Sequence, residues 1–578
     1  MLNSRIIFIT LALYFLSTTL CAQTIVNVEI SGIDELLEKN VRLYLSIEQQ
    51  KNHPLISDGR LRRLHKKAAA EISAALQPFG YYRSTVSSSL ERSESGEWQA
   101  NYKIDPGPAL RIAEFNFAIS AEMGQDPEFK KLIQNQALQT GNVFTHPEYE
   151  SFKADLARLA SERGYFRAAF FENRVEIDLK DYVARVYLNY EGGPRFIFGE
   201  VLLRQDVLQA EFLQRYMPFK KGDAYSLAKL IELQHVLNDT DYFQTVEVSP
   251  GEAVPGSNEI PIEVSLSPRK ENRYVFGFGY GTDTGARTKF GWQKPRVNDR
   301  GHRFDSEIGV AEIGYKLEAN YRVPVLNPRT DQLVYSVSAN NEELDDVDSD
   351  LRTVGVSLNR RRGEWRETLA LEYQREDFEI GNDSDETDLL IPGVTWSRIW
   401  GSNFIYVLDG LRFDIALRGA DEELGSDVSF SQVYSSLKFI TSLNRSNRFI
   451  ARGSVGSTST KDFNKLPPSV RFFTGGSQTV RGYDYRSLGP EDDSGDVIGA
   501  RRLLTGSLEF EHSLNDRWAV AVFYDGGNAI DDFDDDLERG AGFGVRWNSP
   551  VGPVRVDLAN AISDDETWQL HLNIGPDF

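Results

Sequence analysis

From about Arg273 to the end of the chain, apolar and aromatic residues recur at every second position, a period that suits a strand with two unlike faces and not a helix. Tyr274, Phe276, Phe278 and Tyr280 share one face of the first such stretch, against Val275, Gly277, Gly279 and Gly281 on the other. Tyr315, Leu317, Ala319 and Tyr321 oppose Lys316, Glu318, Asn320 and Arg322 in the same way. Trp518, Val520, Val522 and Tyr524 oppose Ala519, Ala521, Phe523 and Asp525. Charge is thus sorted away from a lipid-like face. Membrane barrels show this pattern because lipid-facing and lumen-facing residues alternate. Residues 270 to 578 number 309 (578 less 269). Shared among sixteen strands they give about 19 per strand with its turn, enough for membrane strands of about 9 to 11 residues. The expectation is a transmembrane antiparallel β-barrel of sixteen strands over 269–578. A soluble β-sandwich would not need aromatic residues at both ends of its outward faces. The acidic stretches Asn341 to Asp350, Glu379 to Asp388, Asp421 to Asp427 and Asp531 to Glu538 read as long loops, and Asn515-Asp516 as a short turn.

Residues 1–22 read as a secretory signal: Arg5 supplies positive charge, Ile6 to Leu16 the apolar run, and Ala22 the cleavage point. Cys21, the one cysteine, follows Leu20 where a lipidation signal wants a small residue, so the reading is export without a lipid anchor. Beyond that segment no run of about 18 apolar residues occurs, so no spanning helix is expected. The net charge of -22 disfavours a nucleic-acid partner, whose phosphates need a basic surface. No Gly-x-Ser-x-Gly elbow, HExxH or P-loop is present, and the seven histidines lack metal-ligand spacing. Asp531 to Asp536 is acidic enough for calcium but lacks the glycine-centred spacing. Neither an enzyme, a cofactor nor a metal is expected.

Residues 24 to 268 contain a unit that recurs three times at about 80 residues, each reading strand, helices, strands. The second helix is the clearest mark: Leu64 to Leu76 stops at Gly80-Tyr81-Tyr82, Tyr149 to Ser161 at Gly164-Tyr165-Phe166, and Leu227 to Leu237 at Asp241-Tyr242-Phe243. Glycine supplies a left-handed cap, and aspartate tolerates one. The aromatic pairs read as core anchors. Asp105-Pro106-Gly107-Pro108 and Glu191-Gly192-Gly193-Pro194 mark the junctions. This unit resembles the POTRA (polypeptide-transport-associated) domain, with boundaries 23–106, 107–191 and 192–268. The fold class is therefore α+β POTRA repeats followed by the barrel.

Between strands ending near Gly456 and beginning near Ala500 lies a connection, 457–499, longer than ordinary loops. It carries Phe472-Phe473-Thr474-Gly475-Gly476 and Val480-Arg481-Gly482-Tyr483. This pair of motifs resembles the inward-folded loop of the superfamily that holds the barrel assembly protein and the two-partner secretion transporters. With three POTRA-like units, the chain is similar to the TamA family of translocation and assembly module subunits. The resemblance implies a lumenal lock in which Arg481 contacts Phe523 and Asp525 on the thirteenth barrel strand, with Glu509 a lumen acid of the twelfth. It also implies a weakly paired seam between the first and last strands, here Tyr274, Phe276, Gly277 and Gly279 against Gly575 and Phe578. Gly575-Pro576 removes a ladder donor, and the terminal Phe578 on an alternating strand resembles an outer-membrane recognition signal.

What the family implies for function is an insertase or translocase subunit in the outer membrane of a Gram-negative bacterium, with its POTRA arm in the periplasm. It would assist assembly and secretion of autotransporters and other barrel proteins. Its partners would be a TamB-like periplasmic protein, unfolded outer-membrane client polypeptides and outer-membrane lipid. A two-partner secretion transporter and a passive porin are the alternatives; the first usually has two POTRA domains and a plug helix, and the second has no use for the arm or the VRGY loop.

Overall fold

The computed structural model describes residues 26–53, 56–94, 96–401, 407–549, 552–563 and 567–574. The signal segment 1–22, Pro576 and the seam residues Gly575 and Phe578 lie outside the described residues.

Each amino-terminal unit is a three-stranded sheet carrying helices. The first comprises β1 (Val26–Ser31), α1 (Glu35–Tyr44), α2 (Ser46–Gln50), α3 (Asp58–Leu76), β2 (Thr85–Arg92) and β3 (Trp98–Asp105), with sheet order β1-β3-β2. β1 runs parallel and β2 antiparallel to β3. α3 begins further upstream than the periodicity suggests, because Ser57 caps it by accepting from the Arg60 N–H. Its buried stripe of Leu61, Leu64, Ala68, Ile72 and Ala75 packs on Ala100, Tyr102 and Ile104.

The second unit repeats this with β4 (Arg111–Ile119), α4 (Ala121–Gln125), α5 (Pro127–Asn135), α6 (His146–Glu162), β5 (Ala169–Asp178) and β6 (Val183–Glu191). The order is β4-β6-β5. The third comprises β7 (Ile197–Arg204), α7 (Ala210–Gln214), α8 (Leu227–Asn238), β8 (Phe243–Pro250) and β9 (Glu259–Pro268), in the order β7-β9-β8.

The helix stops do more than close each core. Gly80 and Gly164 both adopt φ +87°, and Asp241 takes φ +60° in the third copy. The Gly80 carbonyl accepts from the Leu110 N–H at 2.9 Å, and the Gly164 carbonyl from the Phe196 N–H at 2.9 Å, so each stop is bonded to the start of the next unit. A Cβ at Gly80 would lie 2.5 Å from the Phe144 carbonyl oxygen, and one at Gly164 2.8 Å from the Tyr225 Cβ. The second aromatic of each early pair is a joint and not a core anchor. Tyr82 donates its N–H to the Tyr182 hydroxyl at 3.2 Å. Phe166 is 41% exposed and stands edge-on to Phe196 and Tyr225. Tyr165, Tyr242 and Phe243 are buried.

Between Arg273 and Ile574 the described strands form one sixteen-stranded antiparallel sheet, closed nearly into a barrel. Its strands are β10 (Arg273–Gly281), β11 (Gly285–Lys294), β12 (Arg303–Ala311), β13 (Gly314–Pro324), β14 (Gln332–Glu343), β15 (Val347–Arg362), β16 (Trp365–Ile380) and β17 (Asp383–Gly401). There follow β18 (Gly410–Ala420), β19 (Phe430–Asn444), β20 (Asn447–Thr460), β21 (Arg502–Ser513), β22 (Trp518–Ile530), β23 (Glu538–Ser549), β24 (Gly552–Ala561) and β25 (Trp568–Ile574). The alternation holds: Trp518, Val520, Val522 and Tyr524 are outward and exposed, whereas Ala519, Ala521, Phe523 and Asp525 are buried. No described helix is long and apolar enough to cross a membrane.

Two of the acidic stretches are strand and not loop. β14 to β17 run through Asn341 to Asp350 and Glu379 to Asp388, leaving only 344–346 and the pair Gly381-Asn382 as turns. Past the lipid-facing band both faces are wet, so polar residues at every position are compatible with a ladder and the two-residue period loses its meaning. The long connection is likewise bounded by Thr460 and Arg502, and so covers 461–501.

Candidate functional site in the barrel lumen

The 461–501 loop leaves the barrel rim and turns into the lumen. Its upper part is anchored by apolar clusters: Phe463, Leu466 and Val470 with Leu389, Ile391, Val428 and Phe430, and Phe473 and Ile498 with Val347, Phe378 and Ile380. The extended hairpins of β14 to β17 thus supply a wall for the loop to pack on. Arg471 donates to three loop carbonyls, those of Leu466 (2.7 Å), Ile498 (2.9 Å) and Asn464 (2.9 Å), which satisfies chain that has no ladder of its own. The buried Glu376 carboxylate accepts from the Ser349 hydroxyl at 2.7 Å and from the Ser469 N–H at 3.3 Å.

The lower part brings the VRGY segment to β21, β22 and β24. Arg481 pairs with Asp525 through Nε to Oδ2 at 2.7 Å and Nη2 to Oδ1 at 2.9 Å, a two-pronged geometry available to guanidinium and not to ammonium. Nη1 reaches Glu509 Oε2 at 2.8 Å and Asp557 Oδ2 at 3.1 Å. The guanidinium carbon lies 3.4 Å from the centroid of the Phe523 ring. Arg481 is 2% exposed and Asp525 is fully buried.

Beyond these residues the lumen contains a larger ionic network. Arg546 meets Asp557 Oδ1 at 2.5 Å, Glu509 Oε1 at 2.7 Å and Glu511 Oε1 at 3.2 Å. Arg448 meets Glu511 Oε2 at 2.5 Å, and Arg452 approaches Asp525 Oδ2 at 3.9 Å. Four arginines therefore face four carboxylates, Glu509, Glu511, Asp525 and Asp557, and the cluster balances its own charge. Burying ions this deeply requires that balance, since desolvation can exceed the Coulomb gain of a single pair.

Two backbone positions allow the approach. Gly482 adopts φ +105°, and a Cβ there would fall 2.9 Å from Ala561 N and 3.0 Å from Asn560 C. A Cβ at Gly540 on β23 would fall 1.9 Å from the Arg481 carbonyl oxygen. The Gly482 N–H donates to His571 Nε2 on β25 at 2.9 Å. The Asp283 carboxylate, just past β10, accepts from the Ser477 N–H at 3.1 Å and hydroxyl at 2.6 Å. The loop tip is thus bonded to both ends of the sheet. Val480 is buried with Tyr483, Leu488 and Ala561, and the Tyr483 hydroxyl donates to Glu538 Oε2 at 2.9 Å.

Val480, Arg481, Gly482, Glu509, Phe523 and Asp525 therefore converge, with Tyr483 one step away against β23. Tyr274, Phe276, Gly277 and Gly279 lie apart from them, along β10. Its aromatic side chains point outward, Phe278 84% and Phe276 68% exposed. β10 and β25 are the two ends of the sheet order, with no ladder between them among the described residues. Contact there, among the described residues, includes the Thr282 N–H to the Leu572 carbonyl at 3.4 Å, the Leu572 N–H to Thr282 Oγ1 at 3.3 Å, and Arg287 Nη2 to the Ile574 carbonyl at 3.3 Å. Sequence reasoning did not single out Arg448, Arg546, Asp557, His571 or Asp283. The alternation places the first four on lumen faces, so charged residues between lipid-facing neighbours were the available signal.

Residues 297–578 match the Omp85 superfamily domain, and residues 27–106 match the POTRA domain described as TamA domain 1. The chain is similar to the outer membrane protein assembly factor BamA of Nitratidesulfovibrio vulgaris, at 22% identity over 600 residues that cover 94% of this chain and 71% of that protein. BamA of Neorickettsia risticii is 22% identical over 524 residues, covering 84% and 68%. The crystal structure of BamA from Haemophilus ducreyi lacking POTRA domains 1-3 matches with a TM-score of 0.69 at 17% identity, over 81% of this chain and 99% of that one, a likeness of fold.

Proposed function

We infer that this chain, whose residues 297–578 match the Omp85 superfamily domain and whose residues 27–106 match a TamA-type first POTRA domain, is an outer-membrane assembly factor of that superfamily that admits client strands through its own seam. The work is positioning and not bond chemistry. The observation that carries the reading is that β10 and β25 meet without a ladder among the described residues, in a sheet whose fifteen other neighbouring pairs are laddered. An edge that exposes backbone donors and acceptors is a template for an incoming strand. The glycines at 277 and 279 leave the first strand with little side-chain packing to lose when it parts from the last. The Arg481 lock keeps the loop seated, so that the lumen is filled while the seam works.

On this reading the three amino-terminal units are POTRA domains of a periplasmic arm, with boundaries near 23–106, 107–191 and 192–268. Autotransporters and other barrel proteins are the clients, and a TamB-like periplasmic protein is the partner. The family resemblance and the TamA-type first POTRA domain support this choice. Thr282→Cys with Leu572→Cys tests the mechanism. Oxidising that pair should stop client assembly in proteoliposomes, and reduction should restore it; undiminished assembly in the oxidised form rejects the seam. Affinity capture from detergent-solubilised outer membranes tests the partner. Recovery of a TamB-like chain with autotransporters is expected, whereas a single large exoprotein would transfer the reading to two-partner secretion.

A further inference from the structure

Beneath the loop tip, the lumen holds a cavity of about 280 Å3 whose wall includes Arg412, Lys438, Arg452 and Arg555. Gln478 and Thr479 of the loop form its roof. Among the described residues that line it there is no carboxylate, in a chain whose net charge is -22. We propose that this cavity is a binding site for a phosphate-class oxyanion, either the free ion or the headgroup phosphate of a lipid.

The placement follows from the alternation. Arg412 lies near the start of β18, Lys438 toward the end of β19, Arg452 near the start of β20 and Arg555 near the start of β24. By strand direction all four lie in the half of the lumen away from the loop's rim, so the inner loop closes the cavity from above. Each cation already has protein contacts. Arg412 Nε meets Asp414 Oδ2 at 2.9 Å, Arg452 Nη2 is 3.9 Å from Asp525, and Lys438 and Arg555 have partners as well. Those contacts hold the side chains in place, and the ligand adds to them. Asp525 is committed in two-pronged fashion to Arg481, and Arg452 stands 3.9 Å from it, facing the cavity as well as the ionic cluster. Three guanidinium groups and one ammonium thus reach one small space together with the amide of Gln478 and the hydroxyl of Thr479, and an oxyanion is the group that can accept from guanidinium, ammonium, amide and hydroxyl donors at once. The volume suits a headgroup-sized ligand, just under the roughly 300 Å3 at which small-molecule pockets begin.

The test is calorimetric titration of the full-length protein in non-ionic detergent at fixed ionic strength. Inorganic phosphate and a short-chain soluble phosphatidic acid are the probes, and chloride is the matched control. A single saturable site is expected for at least one probe, weakened about tenfold or more by Lys438→Gln and by Arg412→Gln, the scale of one lost charge-assisted contact. Lipid binding about tenfold tighter than phosphate assigns the headgroup, and lipid binding no tighter than phosphate assigns the free ion. Absence of saturable binding by either probe in the unmutated protein overturns the site. So does binding that persists undiminished in both variants, or chloride heats equal to those of phosphate. Heat-modifiable migration on gels verifies that each variant is folded, and either variant alone suffices for the comparison.

Discussion

The backbone N–H of Gly482 donates to Nε2 of His571 at 2.9 Å, which bonds the tip of the inner loop directly to the last barrel strand. Both groups are buried. His571→Leu removes the acceptor and leaves the Gly482 donor unsatisfied, at a cost of about 1 to 3 kcal/mol. The expected result is a rise in open-channel events in planar bilayers, with the loop leaving its seat more often. His571→Gln keeps a side-chain acceptor and should stay quiet. Equal conductance in the two variants would show that this bond does not hold the loop.

Arg481→Ala should act more strongly, because it leaves Asp525, Glu509 and Asp557 facing a vacated position in a buried cluster. Breaking a buried pair costs about 3 to 5 kcal/mol. Arg481→Lys should rescue little, since an ammonium supplies neither the fork to both Asp525 oxygens nor the planar stack on Phe523. The temperature at which folded and unfolded bands exchange on heat-modifiability gels reads the loss. A lysine variant that melts with the unsubstituted protein would reject the fork as the source of stability.

The barrel, its strand number and the repeated arm were legible in the sequence because each rests on a period: two residues for the strands, about 80 for the arm. Where a period ends, the reading faltered. Past the lipid band β14 to β17 continue through acidic residues that look like loop, because solvent on both faces erases the contrast that marks a strand. The lumen cluster was half legible. Arg481, Phe523, Asp525 and Glu509 follow from a motif and the alternation, whereas Arg546, Asp557 and Arg448 join only through the register that aligns lumen positions across β20 to β24. Phe166 misled for a related reason: its packing partners, Phe196 and Tyr225, belong to the following unit.

Segments 201–218 and 231–249 cluster with the barrel as one compact unit. Within it the Tyr242 hydroxyl donates to the Gly301 carbonyl at 2.6 Å, and the Arg303 guanidinium sits 4.5 Å from the Tyr242 ring centroid. A Cβ at Gly301 would come within 2.3 Å of the Phe212 ring. Tyr242→Phe should cost about 1 kcal/mol by losing one hydrogen bond, and Gly301→Val should cost more by forcing the turn off the ring. Distance distributions between spin labels at Glu211 and Arg329 should broaden in the valine variant and change little in the phenylalanine one. An unbroadened valine distribution would mean the turn is not what fixes this contact.

His65 on α3 offers a pH handle remote from the membrane. Its Nδ1 lies 3.0 Å from the Tyr102 hydroxyl, and burial holds its pKa below the ordinary 6.5. Burial also raises the Tyr102 pKa, so the hydroxyl keeps its proton and can donate to the neutral ring. The sign follows from comparing the two states. Above the ordinary value both folded and unfolded chains carry a neutral imidazole and the contact is intact. As pH falls through 6.5 the unfolded chain takes up the proton first, so the first domain loses stability until the folded-state pKa is passed. The protonated ring would also turn its acceptor nitrogen into a donor facing Tyr102. Hydrogen exchange at α3 amides, corrected for the intrinsic pH dependence, should therefore quicken as the solution is acidified across this window. His65→Gln should flatten that dependence while leaving exchange in the second unit unchanged. A slope that survives the substitution would assign the acid sensitivity to carboxylates elsewhere in the domain.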